Sequence, residues 1–248
     1  MTKYGYSNYF KTLMLLIISA LTFVLGSCND DDNEEYTACG DAVFIKRKIK
    51  GQVKTCTNYY AYCSSGIGST KVTTPSNNIF ELEKYNDSGT TFWYESADSV
   101  YVEGAPKEGT GSYFFTIISE GGGDSIVVED QQEFDDIALA EIDSLYYSES
   151  TGHYVGWDSI SGADSYRVYL LNSDNNIVFA GDELTPSNSE INLLYDTTSG
   201  TWIEKPESGK SYTISIYGRV YDSDATSKNY IYNIQEISIR DTIITWGE

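Results

Sequence analysis

The chain has 248 residues, with 37 acidic against 16 basic side chains and a formal charge of −21. So acidic a surface repels phosphate backbones and anionic lipid, which excludes nucleic acid as a partner and leaves the fold undecided. The unusual count is tyrosine, 22, beside nine Phe and four Trp. Tyr, Thr, Ile and Val alternate here with Ser, Asp, Asn and Gly, the signature of an all-β chain.

Lys3 and Lys11 precede an apolar run from Thr12 to Leu25 that ends in Gly26-Ser27-Cys28. The run is shorter than the ~20 residues a spanning helix needs, and it has the length of a secretory core. Small residues before a cysteine, then Asn29-Asp30-Asp31-Asp32-Asn33-Glu34-Glu35, resemble the signal and acidic export tag of Bacteroidota-type surface lipoproteins. The resemblance implies a signal peptide over 1–27, acylation of Cys28, an acidic tether over 28–37, and an outer-membrane, surface-exposed chain attached to the membrane through its lipid. The acidic run reads equally as a self-repelling spacer.

The following residues predict two domains, 38–130 and 137–248, with 131–136 as an acidic linker. From Val43 to Lys54 the pattern has period two, setting Val43, Ile45, Arg47 and Ile49 on one face and Lys46, Lys48, Lys50 and Lys54 on the other. The lysine row is a candidate patch for an anionic ligand, or a device that blocks edge pairing. Cys39, Cys56 and Cys63 follow the acylated position. An exported chain permits one disulfide among them, with Cys56–Cys63 as the candidate pair and Cys39 as an alternative partner. Further strands are predicted at Ser69–Thr74, Ile79–Tyr85, Thr91–Glu95, Ser99–Glu103, Ser112–Ser119 and Ser125–Glu129. Gly109-Thr110-Gly111-Ser112-Tyr113-Phe114-Phe115-Thr116-Ile117 resembles the penultimate strand of immunoglobulin-like domains. That implies a Tyr113 corner, with Tyr113, Phe115 and Ile117 facing the core.

In the second domain, Trp157, then Gly162-Ala163-Asp164-Ser165-Tyr166-Arg167-Val168-Tyr169-Leu170, then Pro206 to Val220 in strict alternation, resemble a fibronectin type III domain. The resemblance implies a Trp157 core, the Tyr166–Val168 strand beside it, and a corner at Tyr212. The segment Asn172–Trp202 is long for that pattern. Asn229–Arg240 and Thr242–Trp246 read as two closing strands where the family has one.

Catalytic chemistry finds little support. His153 is the single histidine and sits in a turn-like, solvent-facing stretch, and no Gly-x-Ser-x-Gly elbow is present. Glu141-Ile142-Asp143-Ser144-Leu145-Tyr146 half-matches the catalytic strand of jelly-roll β-glucanases, but Tyr146 stands where the second carboxyl belongs, so the two-carboxylate mechanism is lost. The Asx-rich turns Asp222-Ser223-Asp224 and Asn172–Asn176 do not match the twelve-residue calcium loop, and no metal or cofactor is expected. Trp202, Trp93, Tyr94 and Trp246 are the candidate aromatic platforms for sugar rings, with core packing as the alternative role. The sequence therefore predicts two tandem immunoglobulin-like and fibronectin type III-like β-sandwiches forming a non-catalytic surface binding or adhesion module. Its expected partner is another surface protein or a glycan, the latter as an accessory to polysaccharide uptake.

Overall fold

The computed structural model describes residues 38–85, 89–122, 125–223, 225 and 233–248. The predicted signal, Cys28 and the tether lie outside the described residues, as do Asp224 and the first four residues of the expected strand from Asn229. The chain is all-β and divides into two compact units. The first takes the described residues up to Asp136 together with Tyr221–Glu236; the second takes Ile137–Val220 and Ile237–Glu248. The described residues of 221–236 thus cluster with the N-terminal residues, although their position in sequence suggests the C-terminal domain. Of the expected linker, Gln131 and Gln132 are the last residues of a strand and residues 133–136 have no regular secondary structure.

The first unit holds β1 (Ala38–Ile49), β2 (Gln52–Cys63), β3 (Ile67–Thr73), β4 (Ile79–Glu81), β5 (Glu83–Lys84), β6 (Thr91–Tyr94), β7 (Gly111–Ser119) and β8 (Ser125–Gln132). One sheet runs β1-β2-β6-β5 and the other β4-β3-β7-β8. Between them lie Ala42 and Phe44 of β1, Tyr59, Ala61 and Cys63 of β2, Val72 of β3, Phe92 of β6, and Tyr113, Phe115 and Ile117 of β7. The alternation in β7 therefore faces the core as expected. The Tyr113 hydroxyl donates to the Gly109 carbonyl at 2.5 Å, closing the corner.

Two expectations fail here for physical reasons. Val43 to Lys54 is not one strand: Lys50 and Gly51 both take positive φ, 51° and 86°, the geometry of a two-residue hairpin turn. Pairing then sets Lys48 opposite Val53 and Lys54 opposite Arg47. Lys54 consequently points to the face opposite Lys46 and Lys48. Nor do Ser99–Glu103 form a strand, because a 3-10 turn occupies Asp98–Val100 and only Val102 bridges to Thr55.

The second unit is built from β9 (Ile142–Ser148), β10 (Gly152–Trp157), β11 (Ser165–Leu171), β12 (Ile177–Gly181), β13 (Glu190–Leu193), β14 (Gly200–Trp202) and, apart from Tyr221 and Ile234–Glu236, β15 (Ser211–Tyr221) and β16 (Ile234–Thr245). Its sheets are β13-β10-β9 and β14-β12-β11-β15-β16. The core between them centres on Trp157, with Val155, Tyr166, Val168, Leu170, Ile214 and Ile216 around it. Tyr212 makes the predicted corner, accepting the backbone N–H of Glu207 at 2.9 Å. The long middle segment supplies three short strands, β12 to β14. A single strand, β16, closes the sheet in place of the two expected, and it runs unbroken through Asp241.

Candidate functional site

Strands β2 and β6 and the edge strand β4 frame a cleft of about 290 Å³ in the first unit, lined among others by Tyr59, Phe80 and Tyr94 and by Asn78, Lys107 and Glu108. The accessible aromatic wall is Phe80 of β4 and Tyr94 of β6, backed by Tyr59 of β2, which is itself only 1% exposed. Tyr59 and Tyr94 are paired residues in the ladder, and the Phe80–Tyr94 and Tyr59–Phe80 centroids lie 5.0 and 5.3 Å apart. Glu108 forms the polar rim. Its Oε2 accepts from Thr74 Oγ1 and Asn78 Nδ2, both at 2.9 Å, and the Ser76 hydroxyl donates to its carbonyl at 3.1 Å. Those bonds fix the carboxylate beside the rings, while Asn78, Ile79 and Lys107 remain exposed. Burial pushes the Tyr59 hydroxyl above its ordinary range, with Tyr113 and Glu108 adding to the shift. It stays a neutral phenol. Among the residues lining the cleft Glu108 is the one carboxylate, so the cleft lacks the pair that glycoside hydrolysis needs.

Of the sequence-predicted platforms, Trp93 and Tyr94 belong to the first unit and Trp202 and Trp246 to the second. Tyr94 lines the cleft, half-buried. Trp93 is only 4% exposed and packs edge-on against Tyr85 at 5.8 Å, so no sugar can stack on it. Adjacent strand residues face opposite ways, which sends Trp93 away from the cleft. Trp202 and Trp246 belong to the margin of the second unit's core. Trp202 lies 4.4 Å from Phe179 and 5.3 Å from Tyr195, with Trp246 at 6.0 Å. A more open aromatic pair, not anticipated from sequence, is Tyr146 and Tyr154, stacked at 4.8 Å with planes 19° apart. Tyr154 donates to Glu190 at 2.6 Å, and that bond holds its proton, raising its pKa to about 12. The signal was present in the sequence as Tyr at both positions, but their facing depends on the register that sets Tyr154 opposite Tyr146.

The lysine row is likewise dispersed. Lys46 is buried at 4% exposure and pairs with Asp136 at 2.7 Å and Glu236 at 3.2 Å. Lys48 and Lys50 are exposed, Lys54 partly so. No common patch forms. The even face of β1, read from sequence as solvent-facing, is the core face from Ala42 to Lys46, because β1 is covered on both sides there.

Cys39, Cys56 and Cys63 are all free thiols. Cys56 and Cys63 stand seven residues apart on β2, which an extended strand spreads over ~23 Å, whereas a disulfide needs Cα atoms within ~7 Å. Burial raises the Cys56 thiol to about 12, partly countered by hydrogen bonds from Tyr101 and Ser96. His153 corrects another expectation: it is 2% exposed on β10. It packs between Tyr147 and Trp246, with centroids at 5.0 and 5.1 Å. The Asn172 turn is an ordinary Asx turn, since its Oδ1 accepts from the backbone of Asp174 and Asn176 at 3.0 Å each.

One constellation was not assembled from the sequence, which singled out only its Asp222, in an Asx-rich turn. Asp41 on β1, Asp130 on β8 and Asp222 just past β15 bring carboxylate oxygens within 4.8 Å of one another, all three residues buried. Burial, then Asp130, then Asp222 push the Asp41 pKa well above the ordinary carboxylate range, and the N–H of Ile234 only partly offsets them. Residues 89 and 92 positions apart give no local pattern from which to find it.

No protein-family model matches the chain, and no curated protein matches it. Among solved structures it is similar to a two-domain fibronectin type III segment of chicken tenascin, at 13% identity over 76% of this chain and 91% of that one, with a TM-score of 0.25. The FN1–FN3 domains of chicken CNTN1 align at 11% identity over 83% of this chain and 63% of that one, TM-score 0.28. The BSP domain of a biofilm-associated protein aligns at 15% over 86% of this chain and 29% of that one, TM-score 0.24. The fold is defined by the chain's own strands, cores and tyrosine corners: two β-sandwich units, the second fibronectin type III-like.

Proposed function

We infer that this protein is a non-catalytic binding module, held at the outer face of a bacterial membrane by acylated Cys28. The observation that carries the binding role is the cleft around Tyr94. It joins an aromatic wall to a rim of fixed hydrogen-bonding groups, and a sugar ring, with apolar faces and hydroxyl edges, needs both. Its small volume suits one or two residues of a glycan chain. Sandwiches of this kind host many functions, so the cleft and not the fold supports the choice. A glycan array with the purified protein and its Tyr94→Ala variant tests it. Binding by wild type that the variant loses is the expected result. An array with no hit, or equal binding by both, leaves protein-mediated adhesion as the role. Lipid attachment is supported by the run ending at Cys28. Mass spectrometry of protein from the native host should find the mature chain starting at acylated Cys28, and protease shaving of intact cells should cleave it.

A further inference from the structure

The three buried aspartates of the first unit are hard to account for as structure alone. A charged carboxylate in so dry a place is costly, and like charges this close raise the cost further. Lys46, a buried cation of this unit, is engaged by Asp136 and Glu236. Backbone and side-chain donors reach the trio. The Ala42 N–H donates to Asp130 Oδ2 at 2.7 Å, the Ile234 N–H to Asp41 Oδ2 at 3.0 Å, and Tyr60 lies beside Asp41. Gln132 supplies a second and independent observation. It is fully buried, and its amide is turned into the cluster, with Nε2 at 3.0 Å from Asp130 Oδ2 and 3.3 Å from Asp222 Oδ1. Its Oε1, however, is buried without a hydrogen-bond partner, as is Asp41 Oδ1. A half-turn about the last torsion of a carboxamide exchanges its two ends. That motion would present Oε1 to the acids as a fourth oxygen, which pays only if a cation is there to receive it.

We propose that Asp41, Asp130, Asp222 and Gln132 form a binding site for a divalent calcium ion. The donor set is oxygen only, which selects a hard cation over zinc or copper. Calcium keeps its ligands at ~2.3–2.6 Å, so oxygens on one ion lie at most ~5 Å apart, and the carboxylate oxygens here already meet that limit. The smaller magnesium ion demands a tighter octahedron and gives up its water reluctantly. The site ties β1 and β8, far apart in sequence, to the segment that follows β15. Calcium therefore acts as a clasp on the first unit rather than as a catalyst.

The test is calorimetric titration of the chelator-treated protein with calcium chloride, with thermal melts in calcium, in magnesium and in chelator. The expected result is one calcium per chain and a melting temperature raised by ~4 °C or more at saturation, with a smaller response to magnesium. Asp130→Asn removes one ligand and also relieves repulsion in the ion-free state. Its melt in chelator should be no lower than wild type, while its calcium response disappears. Gln132→Leu should weaken calcium binding by about tenfold, the loss of one ligand contact. Wild type with no heat of binding and no shift in its melt overturns the site, as does an undiminished calcium response in Asp130→Asn.

Discussion

Trp157 meets Tyr166 edge to face, with ring centroids 5.5 Å apart and planes inclined at 86°, and the Tyr166 hydroxyl accepts the backbone N–H of Ile160 at 2.7 Å. The pair fixes three things at once: the sheet-to-sheet spacing, the orientation of β11 and the loop after β10. Trp157→Ala should cost ~3–5 kcal/mol by opening a cavity between the sheets. Trp157→Phe should cost clearly less. The indole Nε1 is buried without an acceptor, so the smaller ring also removes an unsatisfied donor. Chemical denaturation of the two variants measures the difference, and equal losses would contradict the packing argument.

The tyrosine corners differ in what they protect. Tyr113 is fully buried and its hydroxyl is held by the Gly109 carbonyl. Tyr212 receives its bond from the exposed Glu207, whose N–H water can solvate once the bond is gone. Tyr113→Phe should therefore cost ~1 kcal/mol or somewhat more, and Tyr212→Phe less. Urea melts of the two variants rank them, and the reverse order would show that the corner bond is not what matters.

The Tyr212 corner was legible as a motif, since β15 is buried on both faces beyond Thr213. The Tyr113 corner was legible because β7 has a single buried face, where alternation carries the full signal. The pattern from Val43 to Lys54 misled for the opposite reason: β1 is buried on both faces around Ala42–Lys46, and its turn is made by Lys50-Gly51 rather than by Asn-Gly. His153 was unreadable because its cover, Trp246, comes from the other end of the second unit's sequence. The cleft was half-legible: Tyr94 was named, but Phe80, Asn78 and Glu108 reach it only through pairing and loop closure. The aspartate trio needed the whole topology of the first unit.

Lys46 and Glu236 form a buried ion pair, at 4% and 0% exposure. Removing one partner strands the other charge, which typically costs ~3–5 kcal/mol. Lys46→Met should destabilise on that scale near neutral pH, and adding Glu236→Leu should recover most of the loss. Burial already raises the Glu236 pKa above its usual value, with Lys46 opposing the shift. In Lys46→Met that opposition is gone, so the carboxyl protonates more readily and the penalty should shrink as pH falls. A double-mutant cycle of melts across this range checks both points, and a penalty independent of pH would refute the assignment.

His153 accepts the backbone N–H of Gly247 through Nε2 at 3.2 Å, a bond that only an unprotonated Nε2 can make. Burial lowers its pKa below the ordinary value, which is ~6.5 in an unfolded chain. The neutral form therefore contributes stability that is full above ~6.5 and is lost as pH falls, since the unfolded chain takes up the proton first. As the single histidine, it gives one ring resonance, whose titration midpoint should lie below ~6.5. In melts, wild type should lose more stability than His153→Gln between ~pH 7.5 and ~pH 5, because the amide keeps an acceptor that does not titrate. Tyr147 and Trp246 flank the ring without titrating in this window, so they leave the comparison intact. A midpoint at or above the unfolded value, or parallel melting curves, would show that His153 is not held neutral by the fold.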